Sequence, residues 1–237
     1  MGGPTWFRLG DKDLALHLER TRRLAAGESP SVITADFAER LAIHSQIFPM
    51  TDDRVRTLLH TSEGVLAFQD YFVRRRCEPE VRNVIIDGAR AARGPSAALG
   101  LFEAPSLKAV LICPSNPYLS IDPILAMPCW TAALKSARVP VVAVSPLVGG
   151  RAIKGPTTKI MAELGIAPDP KSVARHYAGL IDGLVIDQAD AHWEQLCGVP
   201  VMVTSTIMNS LADRERLARE TLEFAQRLRP MSSRRTA

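Results

Sequence analysis

Twice between Ala109 and Lys159 an unbroken apolar run of strand length ends in a short polar turn and hands over to a helical pattern. The first run is Val110-Leu111-Ile112, followed by Cys113-Pro114-Ser115-Asn116-Pro117. The second is Val139 to Val144, followed by Ser145-Pro146 and then Gly149-Gly150, Lys154, Gly155-Pro156 and Lys159. β-branched runs without polar alternation belong to strands covered on both faces, as in a parallel sheet. In open parallel sheets ligands sit beyond the carboxyl ends of the strands. Both ends here carry hydroxyls, Gly and Lys, which suits a crevice for something phosphorylated.

The rest of the chain alternates in the same way. Helical patterns are expected after Asp11, which can act as an N-cap, with Leu14 and Leu18 on the apolar face, and over Ala35 to Leu41 after Ser31-Val32-Ile33-Thr34. Ile47 to Met50 reads as a short strand, and Val55 to Leu59 with Val65 to Phe68 flank the turn Thr61-Ser62-Glu63-Gly64 as a hairpin. Phe68 to Arg76 reads as helix, Val81 to Asp87 as strand and Ser96 to Glu103 as helix. Beyond the central stretch come helices at Thr157 to Leu164 and Ser172 to Leu180, strands at Leu184 to Asp187 and Val199 to Val203, and a long helix from Asn209 to Leu228. Gly165 stands where a helix-closing C′ glycine belongs. Strands alternating with helices predict an α/β fold: three layers, α/β/α and Rossmann-like, around a mainly parallel sheet with a small hairpin insertion. Residues 1–230 are expected to form a single domain and residues 231–237 a frayed tail.

Composition narrows the function. The net charge is +4, but the basic residues are scattered, and Arg74-Arg75-Arg76 ends a predicted helix, where cations suit the dipole. Aromatics make up 5% of the chain and do not interleave with basic clusters, which argues against nucleic acid. The four cysteines and five histidines show no metal-ligand spacing. With no signal peptide and no apolar run of bilayer length, a cytoplasmic protein without a membrane partner is expected.

The chemistry concentrates in the central stretch. Ser115, Asn116, Ser120 and Ser145 are short side chains that can donate to phosphate oxygens without blocking the approach of the backbone. Gly149-Gly150 allows close backbone contact, and Lys154 or Lys159 can supply charge. The GxxxxGK[ST] spacing is absent, and two ordinary strand–turn–helix connections would have a similar composition. Adjacent Asp52 and Asp53 could hold Mg²⁺, though acids after a strand more often cap turns. Asp187 and Asp190, in VIDQADA, could touch a ligand or cap a turn. No GxSxG elbow accompanies a Ser/His/Asp order, which disfavours an acyl hydrolase, and His176 reads as a surface or packed helical residue.

Six segments in order, WFRLGDKDLALHLERT, FPMTDDRVRT, FQDYFVRRRCEPEV, CPSNPYLSIDPILAMP, AVSPLVGGRAIKGPTTKIMAELG and SVARHYAGLIDGLVIDQADA, resemble the 2-phospholactate transferase family (CofD-type) over essentially the whole chain. The resemblance implies transfer of a phospholactyl group, or a phosphoenolpyruvyl or phosphoglyceryl one, from a GMP-activated diphosphate donor to the deazaflavin FO. GMP is released, Mg²⁺ is the implied cofactor, and the product leads to the electron carrier factor 420. It places a deazaflavin-contacting basic residue at Lys12, beside Asp11, and puts Ser115, Asn116 and Ser120 on the phosphate side of the crevice. A homodimer is consistent with the family pattern.

The chain also departs from that pattern. It opens beyond the Gly-rich first loop and the metal-binding aspartates of the family, so the expectation is that by itself it does not convert FO. Cys129-Trp130 stands where Pro-Gly is usual, and Ser205 where an acid is usual. An alternative is a non-catalytic, nucleotide-sugar-binding regulator of the same superfamily; LGDKDLALH and FPMTDD favour the transferase branch.

Overall fold

The computed structural model describes residues 9–230; the tail at 231–237 and the start of the WFRLGDKD segment lie outside that range. The first described elements are helices α1 (Asp11–Ala25) and α2 (Pro30–Arg40). The N-cap of α1 is Gly10, with no side-chain cap, so Asp11 is the first helical residue rather than the cap. Asp11 and Asp13 in the first turn and Arg22 and Arg23 in the last complement the helix dipole. Helix α2 starts earlier than the pattern suggested. Ser29 Oγ accepts the Val32 N–H at 3.3 Å, and Pro30 fills the first turn, where its lack of an N–H costs nothing. Ser31 to Thr34 are therefore helical.

One side chain ties these helices together. Arg23, only 8% exposed, reaches both Glu28 and Asp36 at 2.5 Å. Its hydrogen bonds hold the Glu28 carboxyl below the ordinary range. For Asp36, desolvation pulls upward, but the bonds from Arg40 and Arg23 outweigh it and the net shift is downward.

Next come β1 (Arg56–Thr61), β2 (Gly64–Ala67), a π-helical turn at Asp70–Arg74 and β3 (Val81–Asp87). The hairpin expected around Ser62-Glu63 is present, with Leu58 opposite Ala67. Strand β3 pairs antiparallel with β1, Leu58 opposite Ile85, so the insertion is a three-stranded sheet of order β2-β1-β3. Ile47 to Met50 form no strand. Pro49 lacks a ladder donor, and the Met50 carbonyl instead accepts the Trp130 indole N–H at 2.9 Å.

The second half begins with α3 (Ser96–Gly100), continued by a 3₁₀ turn through Glu103, and β4 (Val110–Ile112). A π-helical turn at Pro117–Ile121 leads into α4 (Asp122–Leu125) and α5 (Pro128–Ser136). Strand β5 (Val141–Val144) is followed by a tight antiparallel pair, β6 (Leu147–Val148) and β7 (Arg151–Ala152). Then come α6 (Thr157–Glu163), α7 (Pro170–His176), β8 (Gly183–Asp187), a 3₁₀ segment at Gln188–Leu196, β9 (Val201–Thr204) and α8 (Leu211–Arg227). Gly165, at φ +70, closes α6 as expected.

Strands β4, β5, β8 and β9 form the parallel sheet in that order. Every residue of β5 and β8 is buried, and their alternation divides them between two cores. Val142, Val144 and Val185 pack with Leu217, Phe224 and Ala225 of α8. Val141, Ala143, Leu184 and Ile186 pack on the opposite face with Ile160 and Met161 of α6 and Val173 of α7. Helices on both faces of a parallel sheet make the three-layer α/β/α arrangement, and they explain why the strand sequences show no polar alternation. Helix α8 begins with a reciprocal capping box between Ser210 and Asp213.

Two predictions follow from this packing. Truncating the α8 anchor by Phe224→Ala is expected to cost about 3–5 kcal/mol in chemical denaturation. Because Glu28 and Asp36 titrate lower when folded than in the open chain, the Arg23 contribution is complete above the ordinary carboxylate range. It is lost as pH falls through the lowered values. Protection factors for amide exchange over residues 11–40, taken relative to the intrinsic rate at each pH, should therefore fall on acidification before those of the parallel sheet.

Candidate functional site

The carboxyl ends of β4, β5 and β9 converge on one cavity of about 190 Å³. Its polar lining is Asn116, Ser145, Lys154, Thr157 and Thr206, and its apolar wall includes Val148, Ile153, Ile207 and Met208. Pockets enclosing whole drug-sized ligands run to roughly 300–1,000 Å³. A cavity of this size suits phosphate groups with a short attachment rather than an entire nucleotide or tricyclic ring.

Asn116 is the most informative lining residue. It is the N-cap of the Pro117–Ile121 turn, and its Oδ1 accepts the N–H groups of Tyr118 at 3.0 Å and Leu119 at 3.1 Å. The amide oxygen is thereby fixed, and the Nδ2 group is buried with no partner among the described residues. A buried donor left unpaired costs about 1–3 kcal/mol, and the residue that carries this one stands in the cavity lining. Tyr118, next but one, is 6% exposed, and burial pushes its hydroxyl up to about 12.

Ser145 is 1% exposed. Its N–H continues the sheet ladder to the Val185 carbonyl at 2.8 Å, and its Oγ accepts the Leu147 N–H at 3.2 Å. A hydroxyl accepting in this way still has its proton to donate. Thr206 is held by Asp187, whose Oδ2 accepts both its N–H at 2.7 Å and its Oγ–H at 3.0 Å. Lys154 is exposed at the cavity wall and pairs with no carboxylate among the described residues. The cavity lining thus combines a residue with an unpaired buried amide, a nearly buried serine hydroxyl and an exposed cation.

The structure separates the residues singled out from sequence. Asn116, Ser145 and Lys154 line the cavity together, while Ser115, Ser120, Gly149 and Gly150 are absent from its lining. The Ser115 and Ser120 N–H groups donate to Cys113 O at 2.7 Å and Asn116 O at 2.9 Å. The N–H groups of Gly149 and Gly150 face Asp190, at 2.9 and 3.0 Å, instead of a ligand. Lys159 is not a cavity cation: it pairs with Glu163 and donates to the Pro79 carbonyl at 3.0 Å, tying α6 to the segment before β3. Asp11 and Lys12 are exposed on the first turn of α1 and outside the cavity lining. Asp52 accepts the Ser31 N–H at 2.7 Å and Asp53 the Arg93 N–H at 2.8 Å, which are turn and helix-start roles. His176 is partly buried and shares a 2.7 Å hydrogen bond with Asp122.

Thr157, Thr206, Ile207 and Met208 were not read as site residues. Thr206 could have been found by applying the strand-end rule to the strand that ends at Thr204 as well as to the first two. Thr157 carried no signal beyond following Gly155-Pro156. Among the described residues, no group of three or more His, Cys, Asp or Glu side chains comes together to hold a metal ion.

Fold and cavity together define an α/β protein with a polar, cation-bearing cleft at the carboxyl edge of a parallel sheet. The family model described as 2-phospho-L-lactate transferase CofD matches residues 5–224, and the chain belongs to that transferase family. A protein of Streptomyces griseus named phosphoenolpyruvate transferase is 36% identical over 236 residues, covering 96% of this chain and 73% of its own length. A 2-phospho-L-lactate transferase of Methanocaldococcus jannaschii is 36% identical over 222 residues, covering 92% of this chain and 70% of its own. Among solved structures, a upf0052 family protein of Bacillus halodurans superposes with a TM-score of 0.53 at 12% identity, over 79% of this chain. The chain spans only 65% of that structure's length, and at such low identity the likeness concerns the fold alone.

Asn116→Asp keeps the capping oxygen and replaces the unpaired donor with an acceptor. The expected outcome is a thermal midpoint within a few degrees of the parent and binding of inorganic pyrophosphate weakened at least about tenfold, measured by calorimetry. Unchanged pyrophosphate affinity would contradict a role for Nδ2 in the cavity.

Proposed function

We propose that this chain takes part in phospho-acid transfer to a deazaflavin. A phospholactyl, phosphoenolpyruvyl or phosphoglyceryl group passes from a GMP-activated diphosphate to FO, in the making of factor 420. The observation that carries the reading is a small cavity lined both by Asn116, whose Nδ2 has no partner among the described residues, and by Lys154, which pairs with no carboxylate among them. The relatives named phosphoenolpyruvate transferase and 2-phospho-L-lactate transferase support the reaction class.

In the proposed reaction the FO hydroxyl oxygen forms a bond to the phosphorus that bears the acid. The bond from that phosphorus to the bridging oxygen breaks, GMP leaves with the oxygen and its electron pair, and the hydroxyl proton passes to solvent. The protein has little covalent work here; positioning and charge stabilisation dominate. Lys154, Asn116 Nδ2 and the Ser145 hydroxyl would hold the diphosphate oxygens and offset the charge that grows as GMP leaves. Lys12, with Asp11 beside it on α1, is proposed to contact the deazaflavin.

The Mg²⁺ implied by the family does not fit the described residues. Asp52, Asp53, Asp187 and Asp190 each accept backbone N–H groups, and none of these carboxylates lines the cavity. No step is therefore assigned to the ion. No helix among the described residues is long and apolar enough to cross a membrane.

The test is a pair of titrations on the purified protein: GDP by calorimetry and FO by fluorescence. Lys154→Ala should weaken GDP binding about tenfold or more, the range for a charge-assisted hydrogen bond of roughly 1.5–3 kcal/mol. Lys12→Ala should weaken FO binding. Saturable binding of a UDP-sugar with no response to FO would overturn the transferase reading in favour of a nucleotide-sugar-binding regulator.

A further inference from the structure

The Gly149-Gly150 turn is built like an anion site, yet its anion is part of the chain. The two glycines join β6 to β7 at φ +58 and +70. Two successive left-handed residues are the requirement of a tight two-residue hairpin, and adjacent N–H groups turned to one side make a concavity for negative charge. Asp190 fills it: Oδ2 accepts the Gly149 N–H at 2.9 Å and Oδ1 the Gly150 N–H at 3.0 Å. The residue is 1% exposed, so the carboxylate is enclosed where it sits.

The enclosure has a consequence for the cavity. Val148 is the last residue of β6, and Ile153 and Lys154 directly follow β7; all three stand in the cavity lining. The hairpin has only two residue pairs, Leu147 with Ala152 and Val148 with Arg151, too few to be rigid alone. Leu147 anchors its base in the core, and Asp190 fixes its tip to the 3₁₀ segment that follows β8. We infer that Asp190 is a positioning residue that holds the β6–β7 hairpin so that Val148, Ile153 and Lys154 form the wall of the phosphate cavity.

This inference rests on the cavity reading above, and its electrostatic sign makes it testable. A carboxylate near an anion site repels the anion through the field of its charge. If charge were all that mattered, Asp190→Asn would tighten binding of an anionic ligand. If positioning governs, the same change weakens binding, because the two glycine N–H groups use different carboxylate oxygens and one of these becomes an NH2 that sets donor against donor.

The experiment combines GDP calorimetry with residue-resolved hydrogen exchange on the full chain. In Asp190→Asn the dissociation constant for GDP should rise at least fivefold. Exchange should speed up across residues 147–154 while residues 141–144 and 183–187 keep their protection. Unchanged or tighter GDP binding by a folded Asp190→Asn protein would overturn the inference, as would unchanged exchange at Gly149 and Gly150. Should Asp190→Asn fail to fold, Gly150→Ala tests the same turn from the other side: its Cβ would lie 3.3 Å from the Pro168 carbonyl at a left-handed φ. The same rise and the same local exchange pattern are expected, and normal GDP affinity with normal exchange would overturn the inference. If the parent protein does not bind GDP, the cavity reading fails by itself, and the exchange pattern alone then decides whether Asp190 pins the hairpin.

Discussion

A parallel sheet covered on both faces leaves a ligand only the strand ends, and in open α/β sheets sites form at the carboxyl ends. Here β5 and β8 are buried throughout, one face against α8 and the other against α6 and α7. Their side chains are committed to the core, so whatever recognises a ligand must come from the residues where each strand stops. Cys113 to Asn116 after β4, Ser145-Pro146 after β5 and Thr206 to Met208 after β9 occupy those positions, and the cavity lies among them. The rigidity of the sheet is what lets three short turns, distant in sequence, line a common cavity.

Within that frame, internal hydrogen bonding decides which donors remain for a ligand. The turns supply several backbone N–H groups, but carboxylates and the Asn116 oxygen take many of them. Asp187 engages Ala189 and Thr206, Asp190 engages Gly149 and Gly150, and Asn116 engages Tyr118 and Leu119. Left over are side-chain groups: the Asn116 amide hydrogens, the Ser145 proton and Lys154. A Gly-rich turn is therefore not evidence of ligand contact. The buried acid that follows β8 makes this one a structural joint.

Much of the fold was legible because its signals are local. The Val139–Val144 run, Gly165 and the Ser62-Glu63 turn each announce their element through periodicity or a required backbone angle; the helix stop and the turn are where the sequence places them, and the strand occupies Val141–Val144 of its run. Ile47 to Met50 misled because an apolar tetrapeptide says nothing about the tertiary partner of its carbonyl, here the Trp130 indole. Strand β3 was recognised as a strand but not as a partner of β1, since pairing depends on topology rather than composition. The site divided along the same line. Asn116, Ser145 and Lys154 follow from the strand-end rule. The diversion of Gly149 and Gly150 to Asp190, and of Lys159 to Glu163, is set by contacts 40 or more residues away in one case and by an i,i+4 pairing in the other. Thr206 obeys the same rule, two residues beyond the end of β9.

The reading proposed for the cavity rests most directly on the Asn116 amide. The decisive measurement is nuclear magnetic resonance of the Asn116 side-chain amide during a titration with GDP. The account predicts a saturable downfield shift of the Nδ2 protons as a phosphate oxygen supplies the acceptor they lack. Saturable GDP binding that leaves those protons unmoved, with shifts confined to other parts of the chain, would contradict it.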